Sequence, residues 1–466
     1  MTGSSRASQA KKDESDVALQ GVYTQHLAII NDVQGVVASE NICNAQGQLL
    51  VAKGASIDTK TTERILKFKL LKPIEESISI EDQLTGGGLY QRIEAHFAGD
   101  TSLRELWQLS DFRAELDEYC SRACEYNLIA QKLTVLALRY PAVFEQAMFC
   151  AWFCAQILQS KQASGDEIYE GFLAGLCHDI GMLHIDSAVI NSNAKLTDAQ
   201  WRQIYAHPII GYRILTALKG FPTKVAAAVL EHHENLDGSG YPRHKVAAQL
   251  GKLGKILNLS DSINAIYRKY LKPRDRSMQD IVPIIQMSLD TRYDRTANKA
   301  IVMLRQLQGS LGGENLNQDM HEFVTKLEEF KHNIEAFLET TQHYNDAIGR
   351  DHDDLKLIAL QNTLIHIATS LVQSGVIDDV SLKWLTHVKN ESLAHAFFEI
   401  EQSFLMIREV FFHIESFKNH LQWYIDGITC ERTKGLLVEM REMLMLLPSL
   451  DLNRYSCWGS HDKKVS

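Results

Sequence analysis

Six residues in the middle of the chain are of the types that hold divalent cations: the adjacent pair His178-Asp179, His207, the adjacent pair His232-His233, and Asp261. Imidazole nitrogens and carboxylate oxygens on rigid elements, with open positions for water and substrate, are the ligands a divalent ion uses when it works on phosphate esters. His178-Asp179 follows the apolar LAGLC and precedes Ile180-Gly181, which predicts a buried helix delivering both polar groups inward. Burying such a pair costs several kcal/mol unless something compensates, and a bound cation is a natural partner. Taken alone, the two residues also fit a hydrogen-bonded core pair.

Downstream, Thr197-x-x-Gln200 is a capping box that predicts a helix, and His207 beside Pro208 begins the next one. A plain helix-start histidine fits that position too. His232 and His233 end the apolar run KVAAAVLE, and Asp237-Gly238-Ser239-Gly240 reads as a tight loop closed by Tyr241-Pro242. Two adjacent helical residues cannot both face one core, so at least one of the histidines needs another partner, a metal or a carboxylate. Asp261 puts an acid into KILNLSD, a helix that otherwise reads as buried, with an exposed helix acid as the alternative.

The elements that must position these residues are legible in outline. Between Val33 and Ile80 short apolar runs, VQGVV, QLLVA and ESISI, alternate with the turn NAQG and the amphipathic TTERILKFKLL, which predicts a small α+β module over 21–85. Gly86, Gly87 and Gly88 read as a hinge. From about 90 to 308 apolar residues recur at helical spacing, as at Leu173, Leu176, Ile180 and Leu183. Beyond GSLGGENLN a third region, 318–450, predicts long helices at roughly 318–349, 353–373, 377–428 and 431–447, packed as a regulatory or dimerising bundle. Its histidines show no Glu-x-x-His pairs repeated on facing helices, as a metal bundle would have, and read as core or solvated. The fold class is mostly α.

Composition narrows the class further. The 466 residues are 45% hydrophobic, enough for two or three ordinary cores. A net charge of −10 argues against DNA or RNA as a partner. The start, MTGSSRASQAKKDESD, lacks the apolar core of a signal peptide and predicts a disordered tail over 1–20. Ala142 to Leu158 is the best membrane candidate, but it is short and holds Glu145, Gln146 and Gln156, so no span is expected and the reading is cytoplasmic. The eight cysteines form no CxxC; Cys120/Cys124 and Cys150/Cys154 lie one helical turn apart in apolar stretches and read as buried thiols.

The strings HDIG (178–181), LT…HPIIGYRIL, HHENLDGSGYP (232–242) and ILNLSD, in this order and approximate spacing, resemble the HD-GYP family of bacterial HD-superfamily hydrolases, from about Gln146 to Leu307. The module at 33–80 is also similar, more weakly, to a domain often attached to such proteins. The resemblance implies an HD-type helical hydrolase domain whose substrate is cyclic di-GMP, a bacterial second messenger. It makes His178, Asp179, His207, His232, His233 and Asp261 metal ligands, with His178 and Asp179 as the catalytic pair and Asp179 bridging two divalent ions. Metal-activated hydroxide would attack phosphorus in line. Ligation by imidazole and carboxylate without thiolate favours iron or manganese. Tyr241 would sit near the substrate, Arg268, Lys269 or Lys272 would hold its phosphates, and the glycine-rich loop would offer a surface to diguanylate cyclase partners.

The chain departs from the family pattern in two telling places. Gln146 stands where a metal-binding histidine is expected, with Glu145 beside it as the substitute reached by a small helix rotation. Met182 stands where a lysine usually follows HD-x-Gly, removing a cation. Two functions therefore remain: a metal-dependent cyclic di-GMP phosphodiesterase with one altered metal position, or a degenerate module that senses the nucleotide or acts as a signalling scaffold without turnover. The retention of six costly buried ionisable groups favours the enzyme.

Overall fold

The computed structural model describes residues 21–309 apart from 111, 193 and 195, then 334–373, 378–391 and, with gaps, 406–446. The tail expected at 1–20 lies outside the described residues. The packing divides into two compact units, Met1–His232 with Gly251–Asp261 and His233–Leu250 with Ser262–Ser466.

The first unit opens with helix α1 (21–31) and the short apolar runs, which form strands as their alternation predicts. β1 (Val36–Ala38) pairs antiparallel with β4 (Ile78–Ile80), Val36 opposite Ile80, and β2 (Ile42–Cys43) pairs with β3 (Leu49–Val51). The turn NAQG closes the second pair because Asn44 Oδ1 accepts the N–H groups of Gln46 and Gln48 at 3.1 and 2.9 Å. TTERILKFKLL supplies α2 (Thr59–Ile65), capped by the Asp58 carboxylate.

His26 on α1 is 2% exposed, edge-on to Tyr140, with Arg139 Nε donating to its Nδ1 at 3.3 Å. Burial first, then the cations of Arg139 and Lys132, push its pKa down to about 4. The folded protein thus refuses a proton that the unfolded chain accepts below about 6.5. The contribution of His26 to stability is full above pH 6.5 and is lost as the pH falls from there toward 4. A His26→Gln chain, which cannot titrate, is expected to show a shallower fall of urea midpoint across that window; identical slopes would refute the assignment.

Six helices follow: α3 (Gly86–Ala98), α4 (Thr101–Gln108), α5 (Arg113–Glu125), α6 (Asn127–Arg139), α7 (Pro141–Ser160) and α8 (Gly165–Cys177). The three glycines expected as a hinge are instead the first turn of α3. Thr85 Oγ1 accepts the Gly88 N–H at 3.2 Å, and a side chain at Gly86 would collide with the Ser121 backbone of α5. α7 is a core helix: Trp152 meets Phe97 of α3 at 4.6 Å, and Phe149 stacks on Phe153 at 5.2 Å. α7 and residues Leu355–Val372 are long and apolar enough to cross a membrane, but 67% of the α7 window is buried within the protein. Short helices α9 (Ser187–Ile190) and α10 (Asp198–Ile204) precede α11 (His207–Ala217), α12 (Thr223–Glu231) and α13 (Lys252–Ile266). The expected capping box is present, with the Thr197 hydroxyl and the Gln200 side chain each accepting the other's backbone N–H.

The second unit contains the loop 233–250, the end of α13, α14 (Val282–Met287), α15 (Ala297–Leu304), α16 (334–348), α17 (Leu355–Gln373), α18 (Asp379–Glu391) and a last helix, Glu431–Leu446. Of the helices expected beyond 318, the first is described only from 334 and the third only at 379–391 and in pieces from 406 to 427. The stripe Leu357, Leu360, Leu364 and Ile367 is buried, as its spacing requires. The fold is mostly α throughout.

Candidate metal centre

In the first unit the end of α8, the start of α11, the end of α12 and the interior of α13 bring five of the sequence-identified residues together: His178, Asp179, His207, His232 and Asp261. α8 does not run through the first pair as expected. It ends at Cys177, His178 caps it, and Asp179 opens a 3₁₀ turn over Ile180–His184. On a continuous α-helix neighbouring side chains diverge by about 100°. The break lets both reach one side, with His178 Nε2 3.2 Å from Asp179 Oδ2.

The three imidazoles are anchored alike. Nδ1 of His178 bonds the Gly175 carbonyl at 2.8 Å, that of His207 the Ile204 carbonyl at 2.6 Å, and that of His232 the Val229 carbonyl at 2.6 Å. A carbonyl only accepts, so each Nδ1 carries the proton, and in the neutral ring each Nε2 presents its lone pair. His207 Nε2 and His232 Nε2 lie 3.1 Å apart, the spacing of adjacent ligands about 2.1 Å from one ion. Two lone pairs that close repel unless a proton or a cation sits between them.

Asp179 divides its carboxylate between two ligand sets. Its Oδ1 lies 3.2 Å from His207 Nε2 and 3.8 Å from His232 Nε2, while Oδ2 faces His178, whose Nε2 is also 3.6 Å from Asp261 Oδ1. Burial alone would push His178 down, but Asp179 and Asp261 outweigh it and hold the imidazole well above its ordinary value. Burial alone would raise Asp179, but the facing imidazoles of His178 and His207 hold it well below. The carboxylates thus draw positive charge to this point, which a divalent cation supplies directly. The donor set fits such an ion.

Small residues permit the approach. A Cβ on Gly181 would lie 2.1 Å from the His207 carbonyl oxygen, so only glycine lets α11 begin against the turn that carries Asp179. Met182, half-buried, packs against the apolar cluster of Ile185, Val189 and Ile210.

Three residues of this site were not singled out for it by sequence. Asn258 of α13, 3% exposed, donates from Nδ2 to the His232 carbonyl at 3.0 Å and ties α12 to the helix bearing Asp261. Gln146 was noted as a departure, but its partner was not: its Nε2 donates to Asp261 Oδ1. Glu145, expected to rotate in as substitute, is exposed. Cys150, one turn beyond Gln146, was read as a plain buried thiol. Its sulfur, a His178 nitrogen and an Asp261 oxygen lie within 4.8 Å of one another.

The remaining sequence-identified residues belong to the second unit. His233 stacks on Tyr241 with ring centroids 4.6 Å apart. Arg268 lies half-buried in the π-helical turn Tyr267–Leu271, where Lys269 is exposed, and Lys272 is exposed just after it. Glu234, 2% exposed, organises the loop: its carboxylate accepts the N–H of Arg243 at 2.6 Å and of Lys245 at 2.9 Å. A Glu234→Ala chain loses both acceptors and is expected to cost about 2 kcal/mol, seen as faster amide exchange across 233–250; unchanged exchange would refute the role. From α17, Asn362 Nδ2 donates to the Asp237 carbonyl, and His366 Nδ1 lies 3.5 Å from Asp237 Oδ2. α17 therefore touches the glycine-rich loop.

Residues 132–297 match the HD domain family model. Over this stretch the chain is similar to HD domains. Over 136 residues the chain is 31% identical to a 3′3′-cGAMP-specific phosphodiesterase of Vibrio cholerae, covering 28% of this chain and 29% of that protein. It is 34% identical over 99 residues to a cyclic di-GMP phosphodiesterase of Pseudomonas aeruginosa, covering 21% and 24%, and 29% identical over 128 residues to one of Borreliella burgdorferi, covering 27% and 33%. The chain thus spans about a quarter to a third of the length of these curated relatives. The matched stretch holds every residue of the centre described above.

Proposed function

We propose that the protein is a metal-dependent phosphodiesterase that hydrolyses cyclic di-GMP, with two divalent ions held by His178, Asp179, His207, His232, His233 and Asp261. The observation that carries the reading is the split carboxylate of Asp179, one oxygen toward His207 and His232 and the other toward His178. The names of the relatives support the substrate class, a cyclic dinucleotide. Ions bound there would supply a nucleophilic hydroxide near neutral pH and stabilise charge on phosphorus; iron or manganese suits the imidazole-rich position. The chain's own part is to hold three imidazoles in one tautomer through their backbone carbonyls and to keep Asp179 ionised, so no reorganisation is needed when charge develops. Tyr241, Arg268, Lys269 and Lys272 are the proposed substrate contacts.

The domain scheme stands as part of the same proposal: an α+β module over 21–85, the hydrolase domain over 90–308, and a bundle over 318–450 that regulates or dimerises. The contact of Asn362 and His366 with Asp237 supports a regulatory bundle. A cytoplasmic site of action and diguanylate cyclase partners belong to this reading. A second reading, nucleotide sensing without turnover, is favoured by the Gln146 amide on Asp261 and by Met182 packed against an apolar cluster. Protein purified without chelator, with its metals counted and its turnover of cyclic di-GMP and 3′3′-cGAMP measured, decides between them. Metal-loaded protein that binds nucleotide without hydrolysing it sinks the enzyme, and protein that binds neither metal nor nucleotide sinks both.

A further inference from the structure

We propose that Cys150 is a metal ligand: with His178 and Asp261 it forms a cation position of mixed thiolate, imidazole and carboxylate character that selects zinc. The inference rests on the reading of the HD pair as a metal centre and assigns the ligand that Gln146 does not supply. Gln146 and Cys150 lie one turn apart on one face of α7, and both meet Asp261. The sulfur of Cys150, a nitrogen of His178 and an oxygen of Asp261 lie within 4.8 Å of one another. His178 is fully buried and its Nδ1 is committed to the Gly175 carbonyl, which leaves Nε2, 3.2 Å from Asp179 Oδ2 and 3.6 Å from Asp261 Oδ1, to face a cation. A ligand atom is therefore already presented to this position.

The approach of the thiol depends on close helix packing. A Cβ on Gly175 would fall 2.3 Å from the Cys150 carbonyl carbon, so the glycine lets α7 and α8 meet backbone to backbone just before His178. The Gln146 hydrogen bond does not block the site, because a carboxylate can accept an amide proton and still bind a cation through its other lone pairs. On binding, the Cys150 thiol gives its proton to solvent and the sulfur enters as thiolate. A soft thiolate beside imidazole and carboxylate shifts the preference from manganese toward zinc. Cys154, one turn further along α7 and equally buried, is excluded from the set: its sulfur hydrogen-bonds Ser260 Oγ at 3.2 Å.

Cobalt(II) reports thiolate ligation without any assay of turnover. The full-length protein, stripped with chelator and reloaded with cobalt, is expected to show a near-ultraviolet thiolate-to-cobalt charge-transfer band. Cys154→Ser retains the band; Cys150→Ser and Cys150→Ala lose it. Zinc bound per chain falls by one ion in both Cys150 variants and is unchanged in Cys154→Ser. Wild-type protein that binds cobalt with no thiolate band overturns the Cys150 assignment and leaves the metal centre standing. The band persisting in a Cys150 variant overturns it equally. Wild-type protein that takes up no cobalt overturns this proposal together with the reading beneath it. If neither Cys150 variant folds, the wild-type band, retained in Cys154→Ser and in Cys177→Ser, carries the test.

Discussion

On the proposed function, an Asp179→Asn chain is expected to lose cyclic di-GMP turnover by on the order of a thousandfold or more, and most of its bound metal with it. The reason lies in how the carboxylate is shared. One oxygen faces His207 and His232 and the other faces His178. An amide can offer an oxygen to only one of these sets and turns an NH₂ toward the other, where a cation is repelled and an imidazole lone pair is already aimed. The substitution also removes the negative charge that holds His178 well above its ordinary value, so the cluster loses its attraction for positive charge as well as a ligand. Asp186→Asn is the comparison, since Asp186 caps α9, accepting the Ala188 N–H at 2.9 Å. It is expected to leave metal content unchanged. An Asp179→Asn protein that keeps its metal and stays within about tenfold of wild-type turnover would refute the centre.

The second large effect is expected at Gly181. A methyl group there would meet the His207 carbonyl oxygen at 2.1 Å, its carbon at 2.9 Å and the Gly211 nitrogen at 3.0 Å. All three are backbone atoms, so no change of rotamer relieves the collision and α11 must shift away from the turn that carries Asp179. Gly181→Ala is expected to cost about 3 kcal/mol and, in the protein that still folds, to weaken metal retention because His207 moves with α11. Gly165→Ala, at a helical glycine with nothing within 4 Å of its Cβ position, controls for the methyl group itself. Thermal midpoints and metal counts on the two variants check this. A Gly181→Ala chain melting within about 1 °C of wild type would remove the steric account of the HDIG glycine.

Much of the centre was legible because its ligands are spelled in short strings whose residue types are costly to bury. His178-Asp179, His207, His232-His233 and Asp261 each interrupt apolar helical sequence, and a reader can infer from that alone that something must compensate them. The capping box at Thr197, the turn at Asn44 and the buried stripe from Leu357 to Ile367 were legible for the same reason: each is a local pattern with a local physical cause. The hinge expected at Gly86–Gly88 was misjudged because helix initiation by Thr85 and packing against Ser121 outweigh the flexibility of three glycines.

What the chain alone could not disclose is which way each buried side chain faces. Composition makes α7 a buried helix, but whether Glu145, Gln146 or Cys150 meets Asp261 depends on how α7 lies against α8 and α13, contacts between residues far apart in sequence. The tertiary structure decided that Glu145 is outside, that Gln146 is bonded to Asp261, and that a thiol stands beside His178. It also broke α8 at Cys177, so that two neighbours could reach one site, and set the split of the Asp179 carboxylate. The sequence by itself determined the candidate histidine and aspartate ligands and the mostly helical fold, since both follow from residue type and periodicity. Only three-dimensional packing, governed by close approaches at Gly175 and Gly181, decided which of those ligands converge.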